Sequence, residues 1–275
     1  MTKFLSIGTF GLVILCFTSG NTEASGDRSA GVPEYSPNSC VALIAERKVK
    51  EPYCHRVIEL ADKLTHAHPR NIKAQISLIE QINSVLLSKN DLESTYHFGL
   101  QAAEGLLFAS NLEGAAEVLR RLPQWPLSTS IYSYYLKIYL GSMNARLGLP
   151  LRVFSSVEDL KSAITEALRK AKEPVFANRL AFSAINLGYY FIQVEQYNKA
   201  ISLMDICQDA NVFQGGSNLV SMCYSSFLDL DTIPYSYRRQ IARKLYDLTC
   251  NGSSPGLCRL LGHKFEKYGL GGAVQ

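Results

Sequence analysis

Residues Ala177 to Ala210 read ANRLAFSAINLGYYFIQVEQYNKAISLMDICQDA. Ala184, Leu187, Gly188 and Phe191 recur three and four apart, the spacing of one face of an α-helix. After Gln196 the same spacing starts again with Tyr197, Ala200, Met204 and Cys207. The stretch therefore reads as helix, turn, helix, with the two helices expected near Pro174–Val194 and Asn198–Ala210.

The period extends through the chain on both sides. Toward the N-terminus, Val57, Leu60, Ala61 and Leu64 form one helical face, and Ile76, Ile79, Ile82, Val85 and Leu86 form another. Further helices are expected from Leu92 to Leu107, broken at Ser110-Asn111, from Leu112 to Leu122, stopped by Pro123, and from Ile131 to Leu147, ended by Gly148 and Pro150. Ser128 or Thr129, closing the connector Gln124–Thr129, is the expected cap of the third of these. Later helices are expected near Val157–Ala171, Ser217–Leu228, Tyr235–Thr249 and Pro255–Tyr268. Val153-Phe154 and Asn211–Phe213 are too short to alternate as strands. About ten helices joined by short turns, with no sheet, predict an all-α fold: an α/α helical-hairpin solenoid, its hairpins stacked in series.

The chain of 275 residues is 47% hydrophobic and 19% charged, too apolar to be disordered, and its 19 Gly, 10 Pro and 7 Cys are too few for a collagen-like or disulfide-dense chain. A net charge of +4 gives no argument for a polyanionic partner. Arg238, Arg239, Arg243 and Lys244 form one brief basic cluster and Arg169, Lys170 and Lys172 another. On different helices, they read as solvated faces and not as a nucleic-acid stripe.

The first 24 residues have the layout of a secretory signal. Lys3 is followed by an apolar stretch from Phe4 to Phe17, then by small and polar residues that place cleavage after Gly20 or Ala24. The stretch is too short to span a bilayer comfortably, so no stable membrane insertion is expected after cleavage. Residues 25–39, rich in Gly, Ser, Pro and charge, read as a disordered lead-in, and the helical domain is expected over residues 40–271. Export, to a periplasm or out of the cell, also removes Cys16 and leaves Cys40, Cys54, Cys207, Cys223, Cys250 and Cys258. An even count in an oxidising compartment suggests three disulfides among fifteen connectivities, with neighbours along the chain favoured. A zinc site is disfavoured, because no two cysteines form the usual short ligand pair and His55 stands alone beside Cys54.

The unit at Ala177–Ala210 resembles a tetratricopeptide repeat, whose first helix carries a Leu-Gly pair and whose second carries an Ala with a large residue four further on. Asn111, Leu112, Ala115, Leu119 and Leu122 repeat the second half of that pattern, with Ala103 where the first half has Gly. At the C-terminus, Ala242, Tyr246, Cys250, Asn251, Gly252, Gly256, Cys258, Leu261, Gly262, Phe265, Glu266, Gly269 and Gly271 look like the Sel1-like repeat in its exported, cysteine-containing version. The clearest repeats span residues 177–271. The resemblance implies that Leu187, Gly188, Ala200, Leu261 and Gly262 are the packing residues, small side chains letting helices approach while large ones fill the space beside them. It also implies a Cys250–Cys258 disulfide that staples the turn between two helices; Cys207 with Cys223 sits in a comparable place, across a longer loop.

Motifs that carry chemistry are few. Ser followed three positions later by Lys, a Gly-Ser-Gly nucleophile elbow and a metalloprotease histidine pair are all missing, and His66 and His68 lie on different helix faces. No catalytic residue, metal or cofactor is expected. Tyr132, Tyr135 and Tyr139 share a face and are expected to pack between helices, whereas Tyr134 points elsewhere. Tyr134, Tyr189 and Tyr190 are the candidates for an aromatic groove that takes an extended peptide. The expectation is an exported scaffold for an unidentified protein or peptide, with no nucleic acid. The alternative is an envelope enzyme acting on cell-wall material through a site spread over several helices.

Overall fold

The computed structural model describes residues 35–36, 38–45, 48–66, 71–124, 130–170, 174–209, 224–225, 227–228, 230–251 and 255–270. Among the described residues there are eleven helices and no strand: α1 (Cys40–Ala45), α2 (Pro52–His66), α3 (Ile72–Ser88), α4 (Leu92–Phe108), α5 (Leu112–Arg121), α6 (Ile131–Arg146), α7 (Val157–Lys170), α8 (Pro174–Gln193), α9 (Tyr197–Asp209), α10 (Tyr235–Thr249) and α11 (Pro255–Lys267). The chain divides into two compact units, residues 1–140 and 141–275, taken separately below. No helix among the described residues is long and apolar enough to cross a membrane.

Helix starts follow local chemistry. Proline opens α2, α8 and α11, where its missing N–H costs nothing and its fixed φ suits the first turn. Asn71, Asp91 and Asn111 cap α3, α4 and α5 by accepting the N–H of Ala74, Ser94 and Gly114. At α6 the cap is Ser130, whose Oγ accepts the Ser133 N–H at 2.9 Å. This corrects the expectation of Ser128 or Thr129, which lie outside the described residues, as do most of the residues of the helix expected at Ser217–Leu228.

One turn recurs. Asn90, Ser110, Gly148, Glu195 and Gly269 have φ between 54° and 71°, each just beyond a helix. At each, the following N–H reaches back five residues: Asp91 to Leu86 O, Asn111 to Leu106 O, Leu149 to Asn144 O, Gln196 to Phe191 O and Leu270 to Phe265 O, at 2.7–3.0 Å. The left-handed residue itself bonds three back, as in Asn90 to Leu87 O and Glu195 to Ile192 O, both 3.0 Å. This is the six-to-one and five-to-two pairing that satisfies a helix's last carbonyls. At Asn90-Asp91 and Ser110-Asn111 the two residues end one helix and cap the next.

In the first unit α2 packs on α3, α3 on α4 and α4 on α5, with a lesser α3–α5 contact and α1 set against α4. Leu60, Leu64, Ile82, Leu86, Leu100, Ala103, Leu106 and Leu119 are buried between them. In the second unit α7 packs on α8, α8 on α9, α7 touches α9, and α10 packs on α11. Leu160, Leu180, Leu187, Phe191, Met204, Ile241, Leu245 and Phe265 fill that core. In each unit, packing therefore runs chiefly between helices adjacent in sequence.

The last residues of the expected lead-in over residues 25–39 are fastened to the first unit. Among the described residues, Ser36 and Ser39 are hydrogen-bonded to Glu93 and Tyr35 stacks on Tyr132 with ring centroids 4.9 Å apart. The reason is a long-range polar contact, to which a search for apolar period is blind. Residues 1–34, including the expected signal, lie outside the described residues.

Candidate functional site

The densest chemistry lies in the first unit, at the N-terminal turns of α4. Asp91, Glu93, Ser94, Thr95 and His97 are all at least nine-tenths buried there. Glu93 Oε1 accepts the Ser36 N–H at 2.8 Å and the Ser39 hydroxyl at 3.1 Å. Its Oε2 accepts the hydroxyls of Ser36 at 2.9 Å, Ser133 at 2.8 Å, and Ser130. A carboxylate offers roughly four lone-pair sites, and these five donors occupy them.

Asp91 serves a second helix end. Its Oδ1 caps α4 through the Ser94 N–H at 3.1 Å, while Oδ2 accepts the Cys40 N–H at 2.6 Å and the Tyr53 hydroxyl at 3.3 Å. Ser94 Oγ accepts the Val41 N–H at 2.9 Å and Ser39 Oγ accepts that of Ala42 at 3.2 Å. The first three amides of α1, which no helix can satisfy internally, are thus met by side chains, one from α4 and one from its N-cap. Both helices turn their positive ends toward the same pair of carboxylates, where negative charge is favoured. Burial nonetheless pushes the Asp91 carboxyl above its ordinary range, against the pull of its donors.

The thiols of Cys40 and Cys54, both fully buried, influence one another electrostatically, and Cys54 also feels the Tyr53 hydroxyl. Burial drives both thiols and the Tyr53 phenol upward, with the Asp91 charge adding to it. Docked, they are neutral and poor nucleophiles. His97 Nδ1 pairs with the Tyr132 hydroxyl, and Tyr96 donates its hydroxyl to Pro123 O. The arrangement holds chain segments together and leaves its acids and bases engaged with one another.

Tyr132, Tyr135 and Tyr139 are buried and Tyr134 is 40% exposed. Tyr134 belongs to the first unit, Tyr189 and Tyr190 to the second. Tyr189 is half-buried, stacks on Phe227 at 5.1 Å and carries the Arg146 guanidinium 4.1 Å above its ring. Arg146 in turn donates to Asn186 Oδ1 at 2.8 Å. Tyr190 packs edge-on against Phe191 at 5.5 Å.

Leu187, Ala200 and Leu261 are buried. A Cβ on Gly188 would lie 2.7 Å from Phe227 Cζ, so what needs that glycine is an aromatic ring. A Cβ on Gly262 would meet nothing within 4 Å. Cys250 and Cys258 form a disulfide, Cα–Cα 4.9 Å. Cys40 and Cys54 are free thiols, and the Cys207–Cys223 pairing lies outside the described residues with Cys223.

The basic cluster on α10 is largely matched. Arg238 pairs with Asp231 at 2.9 Å, Arg243 with Asp247 at 3.5 Å, and Lys244 with Asp205 at 2.6 Å; Asp205 also accepts the Tyr224 hydroxyl at 2.7 Å. No group of three or more His, Cys, Asp or Glu that could hold a metal occurs among the described residues.

Sequence reasoning passed over Asp91 and Glu93. Their signal was present: Asp91-Leu92-Glu93-Ser94-Thr95 puts a capping residue and a first-turn acid together, yet nothing local says that the acid points inward. Compared with protein-family models, with curated proteins and with solved structures, the chain matches none.

Proposed function

We propose that the chain is an exported helical-repeat scaffold that holds a protein or peptide and catalyses nothing. Its helical hairpins form a tetratricopeptide- or Sel1-like solenoid, with Cys250–Cys258 stapling the turn between α10 and α11. The recurrence of one closing turn and the successive packing of α2 through α5 and of α7 through α9 support the architecture.

The observation that carries the binding reading is Arg146 stacked on half-buried Tyr189 and tied to Asn186. Arg and Tyr dominate protein interfaces, and an Arg already held against a ring loses little freedom on binding. The buried acids, hydroxyls and thiols of the first unit are engaged with one another, which disfavours the rival reading of a cell-envelope enzyme acting on cell-wall material.

Affinity capture from native envelope with the full chain as bait, read by mass spectrometry, tests this. A specific partner is expected, and Tyr189→Ala and Arg146→Ala each lower its recovery by about tenfold or more, the scale of an interface hot spot. Recovery of no partner, together with turnover of peptidoglycan or a small molecule, sinks the scaffold and leaves the enzyme.

A further inference from the structure

Two fastenings meet at α1. One is polar: Ser36 and Ser39 on Glu93, with the Cys40 N–H on Asp91. The other is the pair of thiols, Cys40 on α1 and Cys54 on α2, both without exposed surface and brought to one place by Tyr53, beside Cys54, whose hydroxyl lies 3.1 Å from Asn38 O and 3.3 Å from the Asp91 oxygen that takes the Cys40 N–H. We propose that Cys40 and Cys54 form a covalent lock on this docked segment, closed by thiol–disulfide exchange while the segment is undocked and then sealed from solvent by the Glu93 and Asp91 contacts.

The chemistry requires a disulfide-bearing exchange partner such as glutathione disulfide. One cysteine thiolate attacks a partner sulfur, forming a mixed disulfide and expelling the first partner thiolate. The second cysteine thiolate attacks the mixed disulfide, and the other partner thiolate leaves. Two protein thiols are oxidised to one disulfide, one partner disulfide is reduced to two thiols, and the two cysteine protons end on the departing sulfurs.

The order follows from the docked geometry. Both thiols are buried and raised, so exchange needs the segment to open first; once closed, the bond can be attacked only through the same opening. Cys250 is only part-buried, so the Cys250–Cys258 disulfide supplies an internal comparison. The inference stands apart from the binding reading, since it needs no partner protein.

The test starts from the full chain, unfolded, reduced and refolded in glutathione buffer. Peptide mapping should find Cys40 linked to Cys54; a chain that regains its helical circular dichroism while both residues stay alkylatable overturns the lock. Dithiothreitol is then added to the native oxidised protein. Cys250–Cys258 is expected to open first. Glu93→Gln should speed opening of Cys40–Cys54 about tenfold or more, and Ser133→Ala about threefold, because each weakens the docking that limits access. Neither should alter Cys250–Cys258 or the rates in denaturant. If the two disulfides open equally fast and neither substitution matters, the seal does not exist. Should Glu93→Gln fail to fold, the Ser133→Ala rate decides alone.

Discussion

At the start of the first unit, five donors from two separated parts of the chain close on one carboxylate; at the end of the second, one covalent bond across eight residues joins two consecutive helices. The partners of Glu93 lie 57 residues before it and up to 40 after it. The polar cluster can therefore form only once α1, α4 and α6 are in place. Each donor depends on the same acceptor, so the cluster fails as a whole. The disulfide restrains only its own turn, and its loss leaves every other contact of the unit available. A buried network is thus the more demanding way to fix a chain end and the more sensitive to a single substitution.

The largest effect should come from breaking that network at its centre. Glu93→Ala strands four hydroxyls and one amide in a buried site, and the cost is expected to be about 3–5 kcal/mol, read from the urea midpoint of the full chain. Removing a single donor, as in Ser133→Ala, should cost about 1 kcal/mol. If Glu93→Ala were as mild as that, the cluster would not be cooperative and the contrast with the staple would collapse. Cys258→Ser comes next. Opening so short a loop is expected to cost about 2.5 kcal/mol by chain entropy, with unfolding of the first unit unchanged. Equal loss in both units would show that the staple acts beyond its turn.

These two devices were unequally legible. The helices are written in apolar spacing punctuated by Pro, Gly, Asn and Ser, and their boundaries follow closely from it. The Cys250–Cys258 pair is equally local. Glu93 is not: on a helical wheel an acid reads as solvent-facing, and the hydroxyls that bury it are distant in sequence. Helix α1 escaped because six residues, Cys40–Ala45, are too few to show a period. The break at Ser110-Asn111 and the turn between Val194 and Asn198 are legible in the spacing, but the left-handed conformation of Asn90, Ser110 and Glu195 is not, because glycine usually supplies it and the reverse hydrogen bonds that hold it depend on the preceding helix.

Glycine at the expected packing positions separates a filled site from an open one. Gly188→Ala drives a Cβ against the Phe227 ring and should cost about 1–3 kcal/mol, as overpacking does. Gly262→Ala has clear space and should be neutral or stabilising by about 0.5–1 kcal/mol, since Ala is the better helix former. Thermal unfolding of the two variants checks the opposite signs. A loss at Gly262 would mean that a backbone or ring packs there after all, as the repeat resemblance implies.

The smallest effect sharpens the comparison most, because it concerns a device both units share. Ser110 in the first and Glu195 in the second hold φ of 59° and 58° in turns with the same pair of reverse hydrogen bonds. A residue with a Cβ pays for that conformation on the order of 1 kcal/mol. Part of the relief from Ser110→Gly or Glu195→Gly is offset by the greater freedom of glycine in the unfolded chain. A net gain of about 0.5–1 kcal/mol is expected at either site, seen as a higher denaturant midpoint with unchanged slope. Equal gains would mark the turns as one repeated element, stressed alike wherever a helix reverses. A gain at Ser110 and a loss at Glu195 would mean that the glutamate side chain has a local role of its own, and the likeness of the two turns would stop at the backbone.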